Sequence, residues 1–356
     1  MAAQYISVPH FISLSSTSPI LDVRTAAEYA QACIPAAYSF PIFTNEERAE
    51  IGTAYKKISK KQAIKIGLTY FGSRLKQMVV DAEAIINKYP NANNTLLIHC
   101  WRGGMRSSAL AWLLDFYGFN VYVLEGGYKA YRNWVLQQLL HPFKFNVIGG
   151  YTGSGKTEIL AAIASKGLQT VDIEAIAKHK GSAFGNLTAI KQPTQEQFEN
   201  NLLAALLPYY TITEELFVQE KPIWIEDESR RIGNNYLSNE FYENKQRQPF
   251  YFVEISKEKR ANYILQQYGN NKQNVLIDAT LRIQKKLGGL LTKQVVNYFI
   301  ENDYLAAFSL LLIYYDKLYG AAASEHPNKM ASILVEDILP QQIAEMLISA
   351  AAEKNT

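Results

Sequence analysis

With 356 residues, 48% of them hydrophobic and 19% charged, the chain can bury sizeable cores and falls outside the disordered and low-complexity classes; its length suits about two domains. The net charge of +3 neither demands nor excludes a nucleic-acid partner. Two cysteines, Cys33 and Cys100, are too few for a disulfide scaffold, and neither a basic-then-apolar leader nor an apolar run long enough to span a bilayer is visible, so the expectation is a cytoplasmic protein with no membrane span.

Residues 19–23 (PILDV) read as a short buried strand, and a helix starts at 25–29. Helical periodicity runs from 45 to about 88, with a break expected near Gly67 and Gly72. Inside it Lys56, Lys57, Lys60, Lys61 and Lys65 crowd one segment with little acid among them, which is either a solvated helix face or a contact to a phosphate backbone. A second strand is expected at 96–100 (LLIHC), then a helix ending at Gly118, then a third strand at 121–124 closed by the turn Glu125, Gly126, Gly127. Strands alternating with helices predict an α/β unit with a parallel sheet.

A boundary is expected near His141 and Pro142, giving domains 1–140 and 141–356. Beyond it the pattern restarts with a strand at 145–150 (FNVIGG), a glycine-rich turn and a helix from Lys156. Further strands are predicted at 168–173, 222–226 and 249–255. After about Leu276 the chain reads as mostly helical, and its last residues, AAAEKNT, as a frayed tail.

The stretch HCWRGGMRS, residues 99–107, places Cys100 where a strand ends and a helix begins. The thiolate would face first-turn N–H groups and the positive end of the helix dipole, with Arg102 and Arg106 adding positive charge. Gly103 and Gly104 let the backbone curl so that several N–H groups converge. Such a cradle suits two chemistries. Cys100, five residues and then Arg106 matches the signature of cysteine phosphatases, in which Arg106 would clamp a phosphate in bidentate fashion. The same cradle also suits rhodanese-type transfer of sulfur or another chalcogen. The surroundings favour the second: LDVR at 21–24, AAEY at 26–29, IPAAYSFPI at 34–42 and LEGGY at 124–128 resemble the landmarks of a rhodanese domain. Where many rhodaneses carry Gly-His before Ile-Pro, this chain has Ala32 and Cys33, and Cys33 reads as a packed side chain.

GYTGSGKT, residues 150–157, fits the phosphate-loop pattern completely, after a predicted strand and before a predicted helix. Gly150, Gly153, Ser154, Gly155, Lys156 and Thr157 are the candidate diphosphate-binding residues: amides wrap the ligand, Lys156 reaches its terminal phosphate and Thr157 is placed to hold magnesium. Glu226 and Glu228, at the end of the strand PIWIE, and Asp172 and Glu174, at the end of another, are candidate acidic or metal-organising groups. Arg230 and Arg231 are candidate anion contacts. No base-recognition sequence is visible, so the residues leave the phosphate ligand open. The fold class is α/β: an N-terminal rhodanese-like parallel-sheet domain, then a P-loop α/β domain with a helical C-terminal region. Taken as residues alone, a cysteine phosphatase fused to a small kinase, a sulfurtransferase and a non-catalytic anion sensor all remain open.

The pairing is uncommon, and the chain resembles the tRNA 2-selenouridine synthases over nearly its whole length. CWRGGMRS (100–107), EGGYKAYR (125–132), GYTGSGKTEIL (150–160), DIEAIAKHKGSAFG (172–185), QPTQEQFEN (192–200), EDESRRIG (226–233) and NEERAEIGTAYKK (45–57) carry the resemblance. It implies a transferase that acts on wobble 2-thiouridine of tRNA, first alkylating the sulfur with geranyl diphosphate and then exchanging the geranylthio group for selenium from selenophosphate. No permanently bound cofactor is implied, and magnesium is an optional partner. Cys100 maps onto the family cysteine and residues 150–157 onto its phosphate loop. Under this resemblance the lysine cluster, together with Arg282, Lys285 and Lys286, becomes a candidate tRNA contact, and Tyr314, Tyr315 and Tyr319 candidate stacking partners for unpaired bases. The apolar groove for the prenyl chain is expected in the Leu- and Tyr-rich region after Leu276.

Overall fold

The computed structural model describes residues 4–180, 190–212, 217–324, 326 and 328–353. The chain divides into two compact units, Met1–Gln138 with Glu199–Asn201, and Leu139–Phe198 with Leu202–Thr356.

The first unit is built on strands β1 (Gln4–Ile6), β2 (Ile20–Asp22), β3 (Tyr38–Ser39), β4 (Thr95–His99) and β5 (Asn120–Leu124). They form one sheet in the order β1-β5-β4-β2-β3, with every pair parallel. Helices α1 (Val8–Leu14), α2 (Ala26–Gln31), α3 (Asn45–Lys57), α4 (Lys60–Gly72), α5 (Leu75–Ile86), α6 (Met105–Tyr117) and α7 (Gly127–Gln138) connect and cover the strands. The central strands read as unbroken apolar runs because a parallel sheet is buried on both faces: Leu96, Leu97 and Ile98 have no exposed surface.

Local signals set the helix ends. Thr25 with Glu28, and Thr44 with Glu47, form complete capping boxes at α2 and α3. Gly118, at φ 116°, closes α6. The helical segment after residue 45 breaks at Ile58 and Ser59, and again at Ser73 and Arg74. Gly72 does end α4, but Gly67 lies inside it, facing Phe43 and Ile51, so the break expected there is absent.

The second unit holds β6 (Phe145–Gly150), β7 (Thr170–Val171), β8 (Thr211–Ile212), β9 (Phe217–Val218), β10 (Ile223–Glu226), β11 (Arg231–Ile232), β12 (Asn235–Tyr236), β13 (Phe250–Ile255) and β14 (Lys329–Val335). Its main sheet runs β14-β13-β6-β10-β7, all parallel, beside two small antiparallel pairs, β8 with β9 and β11 with β12. Its helices are α8 (Lys156–Ser165), α9 (Ile173–Ala177), α10 (Gln195–Leu206), α11 (Asn239–Gln246), α12 (Lys257–Tyr268), α13 (Gln273–Arg282), α14 (Gln284–Leu287), α15 (Gly289–Ile300), α16 (Tyr304–Ser324) and α17 (Pro340–Glu353).

Two expectations are corrected here, and the mostly helical C-terminal region proves to hold a strand. The strand predicted at 168–173 is only Thr170–Val171, because Asp172 caps α9 and Ile173 and Glu174 are already helical. The helical C-terminal region contains β14, which pairs with β13 and adds an edge to the sheet. The supposed tail remains helical to Glu353, with Ala351 buried in the core, while 354–356 lie outside the described residues. Residues 181–185, the end of one resemblance-bearing segment, also lie outside them. Among the described residues no helix is long and apolar enough to cross a membrane.

Candidate active site

In open parallel sheets, ligand sites form beyond the carboxyl ends of the strands. Cys100 follows the end of β4, and its loop runs to Gly104, the N-cap of α6. The Gly104 N–H donates to Cys100 Sγ at 3.3 Å, and Ser107 Oγ lies 3.3 Å from the same sulfur. Burial pushes the thiol up, but hydrogen bonds from the Ser107 hydroxyl and from the N–H groups of Ser107, Arg102 and Gly104 together outweigh it, and the net shift is downward. The geometry therefore favours a thiolate at the bottom of an amide cradle.

Two sequence landmarks support this loop from below. Asp22 and Arg24, of LDVR, form a buried pair at 2.6 Å, and the Arg24 guanidinium lies 3.8 Å from the ring centroid of Tyr128. The N–H groups of Tyr128 and Lys129 donate to the carbonyls of Cys100 and Trp101 at 2.8 and 3.0 Å, so the segment after LEGG clasps the cysteine loop. Gly127 has to be glycine: its φ is 61°, and a Cβ there would lie 2.4 Å from the Cys100 carbonyl oxygen. His99 is fully enclosed 3.6 Å from Asp22, and burial pushes its imidazole down to about 4.

Arg106 does not sit as a free phosphate clamp. Its guanidinium pairs with Glu28 at 2.7 Å, the same carboxylate that closes the α2 capping box. Arg102 is exposed at the rim, and its backbone N–H is one of the sulfur's donors. Burial pushes the Cys33 thiol up, which fits a packed side chain and not a second nucleophile. Cys100 opens onto a cavity of about 940 Å³ that Lys56 and Lys57 also line. Lys60, Lys61 and Lys65 are exposed on the neighbouring α4; Lys60 and Lys61 sit in its first turn, where the helix dipole disfavours cations.

In the second unit, β6 and β10 are neighbours, with Glu226 in register with Ile148, so the phosphate loop after β6 meets the acids after β10. Residues 150–157 wrap into the start of α8; Gly153 takes φ 82°, where a Cβ would press to 2.7 Å of Ile264. Lys156 Nζ donates to the Gly150 carbonyl at 3.2 Å, and Thr157 Oγ1 to Glu174 at 3.4 Å. Ser154 Oγ is buried with no hydrogen-bond partner among the described residues.

Of the four candidate acids, the fold gathers three. Oxygens of Glu174, Glu226 and Glu228 lie within 4.8 Å of one another, and the Glu174 N–H donates to Glu226 Oε1 at 3.1 Å. Glu226 Oε2 is buried and unpartnered among the described residues. Burial, then the neighbouring Glu174, Glu228 and Asp172, raise Glu226 well above the carboxylate range, and burial carries Glu228 to about 7. An orphaned oxygen within a carboxylate cluster, in which burial holds Glu226 and Glu228 above their ordinary range, fits a hard divalent cation, which Glu174, Glu226, Glu228 and Thr157 would hold. Asp172 is instead the α9 N-cap, accepting from the Ala175 N–H at 2.7 Å.

Asp227, between Glu226 and Glu228, lines the same cavity but has partners of its own. It pairs with the fully buried Lys245 at 2.7 Å and accepts from the Tyr319 hydroxyl at 2.8 Å. Tyr319 is therefore a structural partner and not an exposed stacking platform. Arg260, another buried cation, donates to the Thr152 carbonyl at 3.1 Å and pairs with Asp316 at 2.7 Å, bracing the phosphate loop. The sequence reading missed Lys245, Arg260 and Asp316 in these roles; a charged side chain on the apolar face of a helix was the available signal.

The phosphate loop opens into a cavity of about 420 Å³ whose lining includes an apolar set, Ile264 of α12 and Phe308, Leu311, Leu312 and Tyr315 of α16. Tyr315 is thus a wall residue, and Tyr314 is half-buried against it, with ring centroids 5.4 Å apart. The two candidate anion contacts stay outside this cavity. Arg231 donates to the Gly233 carbonyl at 2.8 Å within the β11–β12 hairpin, and Arg230 is exposed beside it. Arg282, Lys285 and Lys286 form an exposed patch at α13 and α14 that lines neither cavity.

Comparison with known proteins adds an independent result. A family model described as the tRNA 2-selenouridine synthase AAA domain matches residues 143–350, and a rhodanese-like domain model matches 11–133. A tRNA 2-selenouridine synthase of Bdellovibrio bacteriovorus is 31% identical over 86% of this chain and 90% of its own length. One of Shewanella denitrificans is 30% identical over 93% of this chain and 95% of its own. One of Azotobacter vinelandii is 35% identical over 70% of this chain and 65% of its own.

Proposed function

This chain belongs to the tRNA 2-selenouridine synthase family, a family of enzymes, and from that premise we propose that its two anion cradles act in succession on wobble 2-thiouridine of tRNA. At the phosphate loop the thiocarbonyl sulfur is alkylated by geranyl diphosphate. At the cysteine loop the geranylthio group is then exchanged for selenium from selenophosphate.

The observation that carries the first step is the cavity of about 420 Å³, in which a diphosphate seat and an apolar wall adjoin. Alkylation forms a bond between sulfur and the allylic carbon as the bond from that carbon to the diphosphate oxygen breaks. Negative charge grows on the departing diphosphate, where the amides of 150–157 and Lys156 are aimed to receive it. Ile264, Phe308, Leu311 and Leu312 hold the hydrocarbon chain and keep water from the allylic carbon. A divalent cation at Glu174, Glu226, Glu228 and Thr157 would supply further positive charge at the diphosphate.

Alkylation turns the sulfur into a competent leaving group. Selenium in selenophosphate is already at the selenide level, so the exchange needs no oxidant: a bond from C2 to selenium forms, the bond from C2 to sulfur breaks, geranylthiol departs and the phosphoryl group passes to water. The amide cradle and the lowered thiol of Cys100 are the groups that handle this donor. Lys56, Lys57, Lys60 and Lys61 supply non-specific phosphate contacts to the tRNA.

The test is nucleoside mass spectrometry on tRNA containing 2-thiouridine. Geranyl diphosphate alone is expected to give S-geranyl-2-thiouridine, and later addition of selenophosphate to give 2-selenouridine with release of geranylthiol. A thiouridine left untouched under every donor condition would overturn this reading.

A further inference from the structure

The cavity above Cys100 is far larger and more apolar than selenophosphate requires. It measures about 940 Å³, the upper end of the range for small-molecule sites. Its walls come from α3 and the residues just before it, from α4 and from the start of α6; Phe43, Ile51, Ile64 and Leu68 present hydrocarbon to the space. A small multiply charged anion gains nothing from such walls. Around the same space stand Arg48, Lys56, Lys57 and Arg102, with Cys100 opening into it. Its lining leaves Tyr55, Leu68 and Met105 more than half exposed, an unfavourable arrangement for helices with no apolar ligand to cover them. Gly67 is part of the same lining; a Cβ there would sit in ordinary contact with Phe43 at 3.5 Å and Ile51 at 3.7 Å, so a longer side chain would extend into the space.

An apolar interior with cationic side chains and a cysteine in its lining matches one kind of ligand: a hydrocarbon substituent carried on a polyanion. We infer that this cavity seats the geranyl chain of S-geranyl-2-thiouridine tRNA while those cationic side chains hold the adjoining phosphates. The inference rests on the two-step reading above and adds a second prenyl site to it. The chain is held first as a diphosphate ester at the phosphate loop and again, as a thioether, beside Cys100. Seating it here places the breaking bond from C2 to sulfur over the cysteine cradle. It also imposes an order on the steps, because unalkylated tRNA lacks the group that fills the cavity.

The experiment uses the full chain and anticodon stem-loop RNAs whose wobble base is 2-thiouridine, S-methyl-2-thiouridine or S-geranyl-2-thiouridine. Wild type is compared with Gly67→Leu, which fills the cavity, and Leu68→Glu, which charges its wall at a position 61% exposed and therefore tolerant of change. Wild type should bind the geranyl RNA at least about tenfold more tightly than the S-methyl RNA. Both variants should lose that difference and slow selenation of supplied geranyl RNA, yet alkylate 2-thiouridine RNA with geranyl diphosphate at the wild-type rate. Equal wild-type affinity for the S-methyl and S-geranyl RNAs would overturn the inference. So would variants that keep wild-type preference, or a cavity found covered by a second copy in sedimentation while geranyl RNA binds no better. If wild type neither alkylates thiouridine nor selenates supplied geranyl RNA, the two-step reading fails and the inference fails with it, a result separable from variant behaviour because it is read on wild type alone.

Discussion

Cys100 and Gly127 are in direct backbone apposition: a side chain on Gly127 would put its first carbon 2.4 Å from the Cys100 carbonyl oxygen and 2.5 Å from the Gly103 nitrogen. The turn after β5 thus closes on the cysteine loop, with no room for even one methyl group. Gly127→Ala is expected to cost about 2 kcal/mol or more, from the left-handed φ and the clash together. Thermal unfolding and iodoacetamide labelling of Cys100 measure it; an alanine variant with wild-type Tm and wild-type thiol reactivity would refute the apposition.

Ser107 is the side chain that most directly favours the Cys100 thiolate. Ser107→Ala removes one hydrogen bond to a charged group, worth about 1.5 kcal/mol, so alkylation of the thiol at neutral pH should slow roughly tenfold. The pH profile of that reaction should move to higher pH, whereas a purely structural effect would lower reactivity without moving the profile.

Burial of His99 couples stability to acid. The unfolded imidazole titrates near 6.5 and the folded one near 4, so between these values the unfolded chain takes up a proton that the folded chain does not. Stability should therefore fall as pH drops from 6.5 towards 4, by on the order of 3 kcal/mol from this group, and flatten below. Urea unfolding at several pH values, with His99→Gln alongside, checks the slope; the variant should lose it.

Lys245 sits fully buried against Asp227, which also accepts from Tyr319. Lys245→Ala leaves a buried carboxylate without its cation and is expected to cost about 3 kcal/mol, measurable by denaturant unfolding. The double change Lys245→Met with Asp227→Leu should recover much of that loss.

The sites were legible in the sequence to the extent that their chemistry is local. Cys100 with its glycines and the run from Gly150 to Thr157 are each a strand end, a turn and a helix start, and each stands where the sequence places it. Pairings across the chain were not legible. Glu28 lies 78 residues from Arg106, and nothing in either neighbourhood signals that the guanidinium is already engaged. Asp172 carried a signal that was misread: an acidic residue ahead of a short apolar run is an N-cap as readily as a strand end. Gly67 looked like a helix break because its packing against α3 is a tertiary fact. Strand β14 escaped because it is an edge strand in which Ile333 alone is deeply buried, so its apolar run does not differ in pattern from the helices around it.

The most direct measurement follows two variants through both steps. Cys100→Ser and Lys156→Ala are each given 2-thiouridine tRNA, geranyl diphosphate and selenophosphate, and the products are digested for nucleoside mass spectrometry. Separate roles for the two cradles require Cys100→Ser to accumulate S-geranyl-2-thiouridine. They require Lys156→Ala to leave 2-thiouridine untouched yet to convert tRNA supplied already geranylated. If both variants stop at the same nucleoside, or Lys156→Ala also fails on the geranylated tRNA, the assignment of one step to each loop is wrong.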